Sequence, residues 1–571
     1  MTCRQTEITR LFKIILLCIP PLLLLMLGMT FAKTQCVWVD EAAQLSGLTL
    51  SPWGQVRWLA GFDENTFGVP HDRNPPLSYW VQSLWISAFG NDEYTLRMCS
   101  LAAMTIALLG VMTGSYQIGG FRGCLLSGLL FAVSPNITTL SVEIRPYAFL
   151  IALSALTVNV FISILLADTQ SRWQWTALIM LCLAATYCHF YGVVSSTAFF
   201  LSAMVLRMSQ RRSIRPQVAA FGVYLILSLG IAPFVLFSVV KSQPDPSAVA
   251  GSVSSLALDI VKNVYRLVGH PAAGVYVPVC SSLLAGTFGL FLLAMMRNVC
   301  WRNVRGRNDP AALAWTGLAV AILLGAVAPC AAAMLVQKFK ALSPHYSAWI
   351  QPVLYVAFAG AWARSENCRA VWSASLCAVI GALGSCCVLM NHQALFVHGA
   401  YRQVNEAVSQ FQSGDLIVVH DLGQSPFALL YEHGKSLVQT YPDQASKETG
   451  ESLITIPTSA AALSVVIDKL SLGTTIIAVS WEQRGAAEIR RQILAGDAEL
   501  GIGPVSRRLL ASADWQRIDA QNAYGYEAAR IMVFQNTAFA SKRGSLPHSK
   551  TDGDQTVLFS TGCPNTEQLS Q

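Results

Sequence analysis

Charged residues are scarce in this chain. Asp, Glu, Lys and Arg make up only 12% of its 571 residues, whereas 53% are hydrophobic and the mean hydropathy is +0.46. A soluble globular domain carries about 25% charged residues, so this composition excludes an ordinary soluble protein. It is typical of a protein with many membrane-spanning helices.

A continuous basic stripe is also missing. The formal net charge is +7, but the Lys and Arg residues fall in short clusters between apolar runs. A nucleic-acid-binding surface needs such cations gathered on one face, so we expect no nucleic-acid partner. The clusters are instead typical of cytoplasmic loops between membrane spans.

Metal-binding cysteine spacing is absent as well. The chain has 15 cysteines, but none of them forms a C-x-x-C pair and most lie inside apolar runs. There they act as small hydrophobic side chains. The sequence therefore predicts no structural zinc site.

Long apolar runs are what the sequence does contain. The first, at about 11–32, follows Arg4 and Arg10 and is long enough to span a bilayer, so we interpret it as a retained signal anchor with a cytoplasmic N-terminus. The runs together predict a polytopic α-helical membrane protein with about 11 transmembrane helices over residues 1–390, including a span near 124–142. Residues 33–94 form the first outer loop of this prediction.

The character of the sequence changes after residue 390. Strand-like runs at 416–419, 475–479 and 529–534 alternate with helix-like runs at 403–412 and 485–494. This pattern predicts a small extracytoplasmic α/β domain over 391–539. Residues 540–571 are polar and without periodicity, which predicts a disordered tail.

The side of the membrane that each predicted loop faces depends on where residues 75–90 are placed. We place 75–90, which is short for a span and begins with two prolines, as a helix at the outer interface. The Arg clusters then all fall inside, as the positive-inside rule requires. An acidic pair, Asp40-Glu41, and a second cluster around Glu143 and Arg145 then share the outer face.

The acidic pair begins a predicted short helix over 39–46. One interpretation is that Asp40 and Glu41 only stabilise a helix N-terminus, where acids are favoured. The other is that one of them faces a cavity and does chemistry. The rigid Asn74-Pro75-Pro76 segment downstream, with Tyr79 close by, favours a polar lip over a membrane groove, which suits a lipid headgroup.

Cations at the outer face are candidates for anion binding. Glu143 and Arg145 flank one residue, so they either form an interfacial ion pair or provide an anion site in which the Arg145 guanidinium binds phosphate. Lys338 and His345 could hold phosphate in another outer loop, although solvation alone also explains such residues. A histidine in an aromatic turn, such as His189, is more often structural than catalytic.

The order of these motifs resembles GT-C-type glycosyltransferases that use polyprenyl-phosphate sugars, especially bacterial members related to protein O-mannosyltransferases and the lipid A aminoarabinose transferase. The resemblance covers roughly residues 1–390. The motifs are the acidic pair after the first span, P-P-L-x-Y-W from Pro75, Phe89-Gly90 followed by Glu93 and Arg97, and E-x-R-P-Y-A from Glu143.

The resemblance implies an enzyme that moves a sugar from a polyprenyl-phosphate donor to an outer-face acceptor (a cell-envelope glycan, lipid or protein), usually with inversion. It assigns the base role to Asp40, with Glu41 beside it, in a bacterial inner membrane. The residues expected to bind the donor phosphate or substrate are Arg73, Asn74, Tyr79, Glu143, Arg145, Tyr147, His189, Lys338, His345 and Tyr346. Oxygen ligands from Asp40 and Glu143 could also hold a divalent metal, Mg²⁺ or Mn²⁺.

Two positions depart from the pattern of the family. Relatives commonly carry Lys or His before the first proline, where this chain has Asn74, and Arg before the tyrosine of the tenth span, where it has His345. We therefore expect the phosphate contacts to be rearranged. Binding through His345 would be best when this side chain is protonated, so it predicts a pH-dependent activity.

Two rival functions fit parts of the same sequence. A transporter of polyprenyl lipid or solute would also use many helices and an outer groove, but transporters usually show repeated halves and mid-membrane ionisable residues, which are scarce here. A catalytically inactive scaffold that binds sugar lipids is the second. Replacing Asp40 with Asn separates the scaffold from the enzyme, since a scaffold should tolerate this change.

Overall fold

The computed structural model describes two parts of the chain. The described residues are 2–35, 37–63, 72, 74–167, 171–241, 314, 316–325, 345–364, 416–420, 438–440, 453–456, 475–481, 504–512, 515–523 and 529–536, with a few isolated positions between 282 and 387. One compact unit comprises residues 1–33 and 43–390, and the other comprises residues 34–42 and 391–571.

The first unit is built from α-helices. Their bounds are α1 Thr2–Ala32, α2 Val39–Leu48 (which begins in the other unit), α3 Pro52–Leu59, α4 Leu77–Phe89, α5 Glu93–Ala132, α6 Pro135–Leu140, α7 Tyr147–Leu166, α8 Arg172–Cys188, α9 Tyr191–Ser209, α10 Arg215–Ser228, a 3₁₀ turn Leu229–Ile231, α11 Ala232–Lys241, α12 Thr316–Gly325 and α13 Ile350–Arg364. The short helices predicted over 39–46 and 75–90 are thus present as α2 and α4.

Helix α5 is a hairpin of two helical segments. Its 40 residues are interrupted at Gly120, whose φ of 60° and ψ of −160° are not helical. Glycine adopts this conformation at no steric cost because it lacks a Cβ. The two segments pack on each other, since a Cβ added at Gly128 would lie 2.9 Å from Cγ of Met112. The chain therefore reverses direction at Gly120.

Small residues bring the central helices close together. A Cβ at Gly110 of α5 would lie 2.9 Å from Cβ of Ala155 on α7. The Asn159 side chain of α7 donates to the Gly110 carbonyl at 2.7 Å, and Ser154 donates to the Trp349 carbonyl at 2.7 Å. Close approach of helix backbones through small residues is the usual way in which membrane helices pack.

Five described helices are long and apolar enough to cross a membrane. They are Leu11–Ala32, Glu93–Ala132, Tyr147–Leu166, Tyr191–Ser209 and Arg215–Ser238. These helices support a multi-pass membrane protein. The predicted count of eleven stays a prediction, because several of the predicted spans fall on residues outside the described part of the chain.

The span predicted near 124–142 is wrong in its second half. Helix α5 ends at Ala132, and the short helix α6 begins at Pro135. Ser134 has a φ of −69° and a ψ of 124°, the extended conformation that a residue before proline prefers. The helix is therefore interrupted, and residues 141–146 are left as a non-helical segment that enters α7.

The described part of the second unit contains a six-stranded sheet. The strands are β1 Leu416–His420, β2 Val438–Thr440, β3 Leu453–Ile456, β4 Thr475–Trp481, β5 Trp515–Ala523 and β6 Ala529–Asn536, in the order β2-β3-β1-β4-β6-β5, with helix α14 at Pro504–Ala511. Strands β2, β3, β1 and β4 are parallel, and β6 and β5 are antiparallel additions.

The three predicted strand-like runs form β1, β4 and β6. The helix-like runs 403–412 and 485–494 and the tail 540–571 lie outside the described residues. The boundaries 391–539 and the extracytoplasmic location of this part stay predictions.

Candidate functional site

A buried ion pair forms the centre of the site. The Arg145 guanidinium donates from Nη1 to Oδ2 of Asp72 at 2.9 Å and from Nη2 to Oδ1 at 3.4 Å. Both side chains are only 7% exposed. Two parallel N–H···O contacts fix the guanidinium plane as well as its position. A cation that is normally flexible is therefore held in one orientation.

Asp72 is itself anchored by the start of helix α4. The Asn74 side-chain amide donates to both carboxylate oxygens at 3.1 Å, and the Tyr79 hydroxyl donates to Oδ2 at 2.7 Å. Burial alone would raise the pKa of Asp72, but the charge of Arg145 and the hydrogen bonds from Tyr79, Asn74 and Arg145 outweigh this effect and hold the pKa below its ordinary value. Asp72 is thus ionised across the physiological pH range.

The segment that carries Arg145 is fixed to helix α5. Arg97 donates from Nη1 to the Val142 carbonyl at 2.7 Å, and Ser100 donates to the Glu143 carbonyl at 2.6 Å. Arg97 is held in turn by an ion pair with Glu93, one turn earlier in the helix, at 2.7 Å. These bonds satisfy carbonyls of a buried non-helical segment, which would otherwise be costly to bury.

Two buried glutamines connect Arg145 to helices α2 and α4. Gln44 accepts from Nη1 of Arg145 at 3.5 Å and donates to Oε1 of Gln82 on α4 at 2.8 Å. Asp40 and Glu41 lie in the first turn of the same helix, α2. Positions 40 and 44 share one face of a helix, because residues four apart lie one above the other. Glu41 is buried and Asp40 is partly exposed.

Glu143 has a different partner from Arg145. Its Oε1 lies 3.6 Å from Nε2 of His345, which is 35% exposed, whereas Glu143 is almost fully buried. The His345 ring lies 5.2 Å from the Tyr147 ring, centroid to centroid. The Glu143–Arg145 ion pair that the sequence left open stays a prediction. The non-helical segment thus brings Arg145 to Asp72 and Glu143 close to His345.

His189 lies in a cage of tyrosines directly after α8. Its ring centroid lies 5.6 Å from that of Tyr147 and 5.8 Å from those of Tyr191 and Tyr346. The backbone N–H of Tyr191 donates to Nδ1 at 3.1 Å, so the neutral ring carries its proton on Nε2. Burial and then the nearby charge of Arg145 lower the pKa of His189 to about 3. His189 is therefore a neutral hydrogen-bonding group at physiological pH.

The structure groups most of the predicted site residues at two adjoining places. Asn74, Tyr79 and Arg145 meet at Asp72, while Glu143, Tyr147, His189, His345 and Tyr346 form the aromatic group. Arg73 and Lys338 lie outside the described residues. Asn74 contacts the Asp72 carboxylate in this arrangement.

The sequence-based prediction missed three buried groups: Asp72, Gln44 and Gln82. Asp72 was visible only as one polar residue among several before the two prolines. The position of an acid two residues before Asn74-Pro75 is the only feature of the sequence that marks Asp72 as a candidate. Nothing in the sequence indicates that Arg145 is its partner. The glutamines gave no signal beyond the helical spacing between Asp40 and Gln44.

The described residues do not form a metal site of the protein alone. Among them, no group of three or more His, Cys, Asp and Glu side chains is placed to hold a metal ion. The cationic partner of Asp72 is Arg145, and Glu143 lies beside His345. This donor set fits an arginine-based anion site better than a protein-held cation. The metal predicted at Asp40 and Glu143 stays a prediction.

An apolar groove adjoins the polar cluster. It has a volume of about 580 Å³ and is lined by Pro52, Trp53, Val56, Ala60, Phe62, Pro76, Trp80, Tyr187, Gly230, Pro233 and Phe234. Among the described residues, no charged side chain lines it. The groove and the cluster share two elements, because Pro76 precedes α4 two residues after Asn74, and Tyr187 lies in α8 two residues before His189.

Comparison with solved structures shows the architecture to which this arrangement belongs. ArnT from Cupriavidus metallidurans in the apo state matches with a TM-score of 0.51 at 13% sequence identity, and the alignment covers 89% of this chain and 96% of that one. This is the GT-C fold. The same protein bound to undecaprenyl phosphate gives a TM-score of 0.50 at 12% identity, with 91% and 97% coverage.

The other comparisons give a partial match, a weak match or none. Residues 73–237, less than half of the chain, match the family model described as dolichyl-phosphate-mannose-protein mannosyltransferase. The match includes Asn74, Arg145 and His189, whereas Asp40 precedes it and His345 follows it. The archaeal oligosaccharyltransferase AglB from Archaeoglobus fulgidus gives a TM-score of only 0.39 at 11% identity, with 69% of this chain and 62% of that chain covered. A search of curated proteins found no match.

The GT-C resemblance predicted from the sequence is confirmed in fold and over the residues of the family match. At 13% identity the structural likeness extends to the fold alone. The chemistry of this chain therefore has to be argued from its own residues.

Proposed function

We propose that this protein is a membrane glycosyltransferase that takes a sugar from a polyprenyl-phosphate donor and transfers it, with inversion, to an acceptor outside the cytoplasm. The observation that carries the proposal is the buried Arg145 guanidinium, oriented by Asp72 beside an apolar groove. A fixed cation next to an apolar channel matches a ligand with a phosphate at one end and a hydrocarbon chain behind it.

Arg145 is the group that we assign to the donor phosphate. An arginine fork suits phosphate oxygens, and a buried position strengthens the attraction because little water competes. In the transferase reaction the phosphate gains negative charge as it leaves the sugar, so a preoriented cation stabilises the transition state. The Nε2–H of neutral His189 is a second donor that we assign to the same phosphate.

The apolar groove is where we place the first isoprenoid units of the donor. Its lining is formed by aromatic and aliphatic side chains and prolines, among them Trp53, Trp80 and Phe234. Burial of apolar surface contributes about 25 cal/mol per Å², so a chain of isoprene units gains affinity without any polar contact. The structural neighbour bound to undecaprenyl phosphate supports this class of lipid.

Asp40 is the proposed general base. In the reaction the acceptor oxygen forms a bond to C1 of the sugar while the bond from C1 to the phosphate oxygen breaks. The acceptor proton passes to the Asp40 carboxylate, and the polyprenyl phosphate leaves with the bonding electron pair. The sugar passes through an oxocarbenium-like state, as in inverting glycoside chemistry. Glu41, next to Asp40 in the first turn of α2, is assigned to support it.

The acceptor is assigned by class only. We propose a cell-envelope glycan, a lipid or a protein in the extracytoplasmic space of a bacterial inner membrane. The distribution of Arg residues supports this orientation.

Transfer from defined donors tests the proposal. Purified protein is incubated with membrane extract and a panel of synthetic polyprenyl-phosphate sugars that carry labelled sugars, in parallel with the Asp40→Asn variant. We expect transfer from one donor by the wild type and at least a hundredfold lower rate in the variant, since a positioned base contributes about 10²–10⁴-fold. No transfer from any donor, with the lipids still binding equally to both proteins, would favour the scaffold, and equal transfer by both proteins would overturn the base role of Asp40.

A metal requirement is tested in the same assay. With charge stabilisation assigned to Arg145, we expect transfer to persist after chelation with EDTA and to be lost in Arg145→Met. Loss on chelation that added Mg²⁺ or Mn²⁺ restores would instead assign this task to an ion, with Asp40 and Glu143 as the candidate ligands.

A further inference from the structure

We propose that Asp72 is the positioning residue of the anion site: it orients the Arg145 guanidinium for the donor phosphate without itself touching the substrate. The inference rests on the proposed function of Arg145. It assigns a role to a residue that lies outside the motifs that carry the family resemblance and that is visible only through its contacts.

The first step of the argument is that Asp72 holds Arg145 at two points. The contacts of 2.9 Å and 3.4 Å join two guanidinium nitrogens to two carboxylate oxygens. An arginine carries five N–H donors in a rigid plane, so fixing two nitrogens also fixes the directions of the N–H groups that Asp72 does not bind. With Gln44 on the second hydrogen of Nη1, the orientation of the whole plane is determined.

The second step is that Asp72 is itself immobile. Asn74 binds both of its oxygens, and Tyr79 donates to Oδ2 at 2.7 Å. All three residues are buried. Tyr79 is fixed in turn by close packing, because a Cβ at Gly47 would lie 2.5 Å from the Tyr79 ring and 2.4 Å from the Trp58 ring. The position of Asp72 therefore follows from the packing of α2, α3 and α4.

The third step separates positioning from competition. A carboxylate on an arginine could also be a stand-in for phosphate that the substrate displaces. A displaced Asp72 would leave its charge buried and would break the bonds from Asn74 and Tyr79, which is costly for an ionised group. Retention of Asp72 preserves every one of these bonds. We therefore assign the phosphate to Arg145 donors that Asp72 does not use.

Binding of a sugar-free lipid phosphate tests the role directly. Undecaprenyl phosphate is titrated into detergent-solubilised full-length protein, with undecaprenol as the ligand that lacks phosphate. The variants are Asp72→Asn, Arg145→Met and the double variant. Asp63→Asn is the matched control, because Asp63 forms an ion pair with Arg57 at 2.7 Å on the exposed surface, and exposed pairs contribute little.

We expect Asp72→Asn to weaken lipid-phosphate binding about tenfold or more, as truncation of one partner of a buried charge pair usually does. The Asp63→Asn variant should bind like the wild type, and undecaprenol binding should be unchanged in all variants. The double variant should bind no more weakly than Arg145→Met, because a residue that acts through Arg145 has no effect once Arg145 is gone.

Two further variants keep the test decisive if Asp72→Asn does not fold. Tyr79→Phe removes one bond to Asp72 and leaves the charge pair in place, so we expect binding two- to threefold weaker, in the range of one neutral hydrogen bond. The exchanged variant, Asp72→Arg with Arg145→Asp, rebuilds the pair with its charges reversed. It should regain thermal stability but not lipid-phosphate binding, whereas a purely structural pair predicts recovery of both.

The outcomes are distinguishable. If Arg145→Met binds lipid phosphate like the wild type, the anion site of the proposed function is wrong. If Arg145→Met loses binding while Asp72→Asn keeps it, the proposed function stands and the positioning role is overturned. Additive losses in the double variant would also overturn it, because they show that Asp72 acts independently of Arg145.

Discussion

Oδ2 of Asp72 lies 2.9 Å from Nη1 of Arg145, although the two residues are 73 positions apart in the chain. The contact joins the segment before α4 to the non-helical segment before α7. Each residue is held by further bonds, Asp72 by Asn74 and Tyr79, and the Arg145 segment by Arg97 and Ser100. The ion pair therefore links two segments that are rigid in their own right.

The first prediction concerns the shape of the cation at position 145. Arg145→Lys keeps the charge but loses the planar fork, and ammonium cannot make two parallel bonds to one carboxylate. We expect donor affinity to fall about tenfold in the lysine variant and about a hundredfold in Arg145→Met, in line with charge-assisted hydrogen bonds of about 1.5–3 kcal/mol. Titration with undecaprenyl phosphate measures both. Equal affinity of the lysine variant would show that charge alone is recognised.

The second prediction is a stability cost at Asp72. Removing one partner of a buried ion pair leaves the other charge uncompensated, which costs about 3–5 kcal/mol. Asp72→Asn should therefore lower the thermal unfolding midpoint well below that of Asp63→Asn. Because the pKa of Asp72 is held below its ordinary value of 3.8, this contribution is complete above pH 5 and is lost as the pH falls through the lowered pKa.

The pH dependence of that difference checks the assignment. The difference between the thermal unfolding midpoints of the wild type and Asp72→Asn should be constant from about pH 5 to 8. It should become smaller only under more acidic conditions. If the difference in midpoint disappears near neutral pH, protonation of another group, rather than of Asp72, causes the pH dependence.

The third prediction concerns His189. Burial lowers its pKa from 6.5 to about 3, so the unfolded state takes up a proton that the folded state does not. The free energy of unfolding should therefore fall as the pH drops below about 6.5, by up to about 1.4 kcal/mol per pH unit. In His189→Asn, whose side-chain oxygen can still accept from the Tyr191 N–H, this slope should be smaller. Identical slopes between pH 7 and 5 would refute the buried neutral state.

The fourth prediction concerns the turn of the α5 hairpin. Gly120 has a φ of 60°, and nothing lies within 4 Å of where its Cβ would be. The cost of Gly120→Ala is therefore backbone strain alone, about 1–3 kcal/mol. Gly222 in α10 also has open space around it but lacks the positive φ. Thermal unfolding should show a lower midpoint for Gly120→Ala and an unchanged or slightly higher one for Gly222→Ala, and equal shifts would contradict the turn.

The sequence predicted the individual elements of the site better than their pairing. Apolar runs and capping signals act locally, which is why α2, α4 and the strands β1, β4 and β6 could be anticipated. The Arg145 segment was recognisable from its Glu-x-Arg-Pro pattern. Its partner Asp72 was not, since a contact over 73 positions depends on how α4, α5 and α7 pack. The same packing brings Glu143 close to His345.

The measurement that tests the account most directly is the stoichiometry of the reaction. Wild-type protein in proteoliposomes is supplied with a polyprenyl-phosphate sugar and acceptor extract, and both transferred sugar and free polyprenyl phosphate are quantified over time, with Arg145→Met in parallel. The account predicts one free polyprenyl phosphate per sugar transferred, and neither product above background in the variant. Movement of the intact sugar lipid across the bilayer, without release of polyprenyl phosphate, would contradict it and identify a transporter.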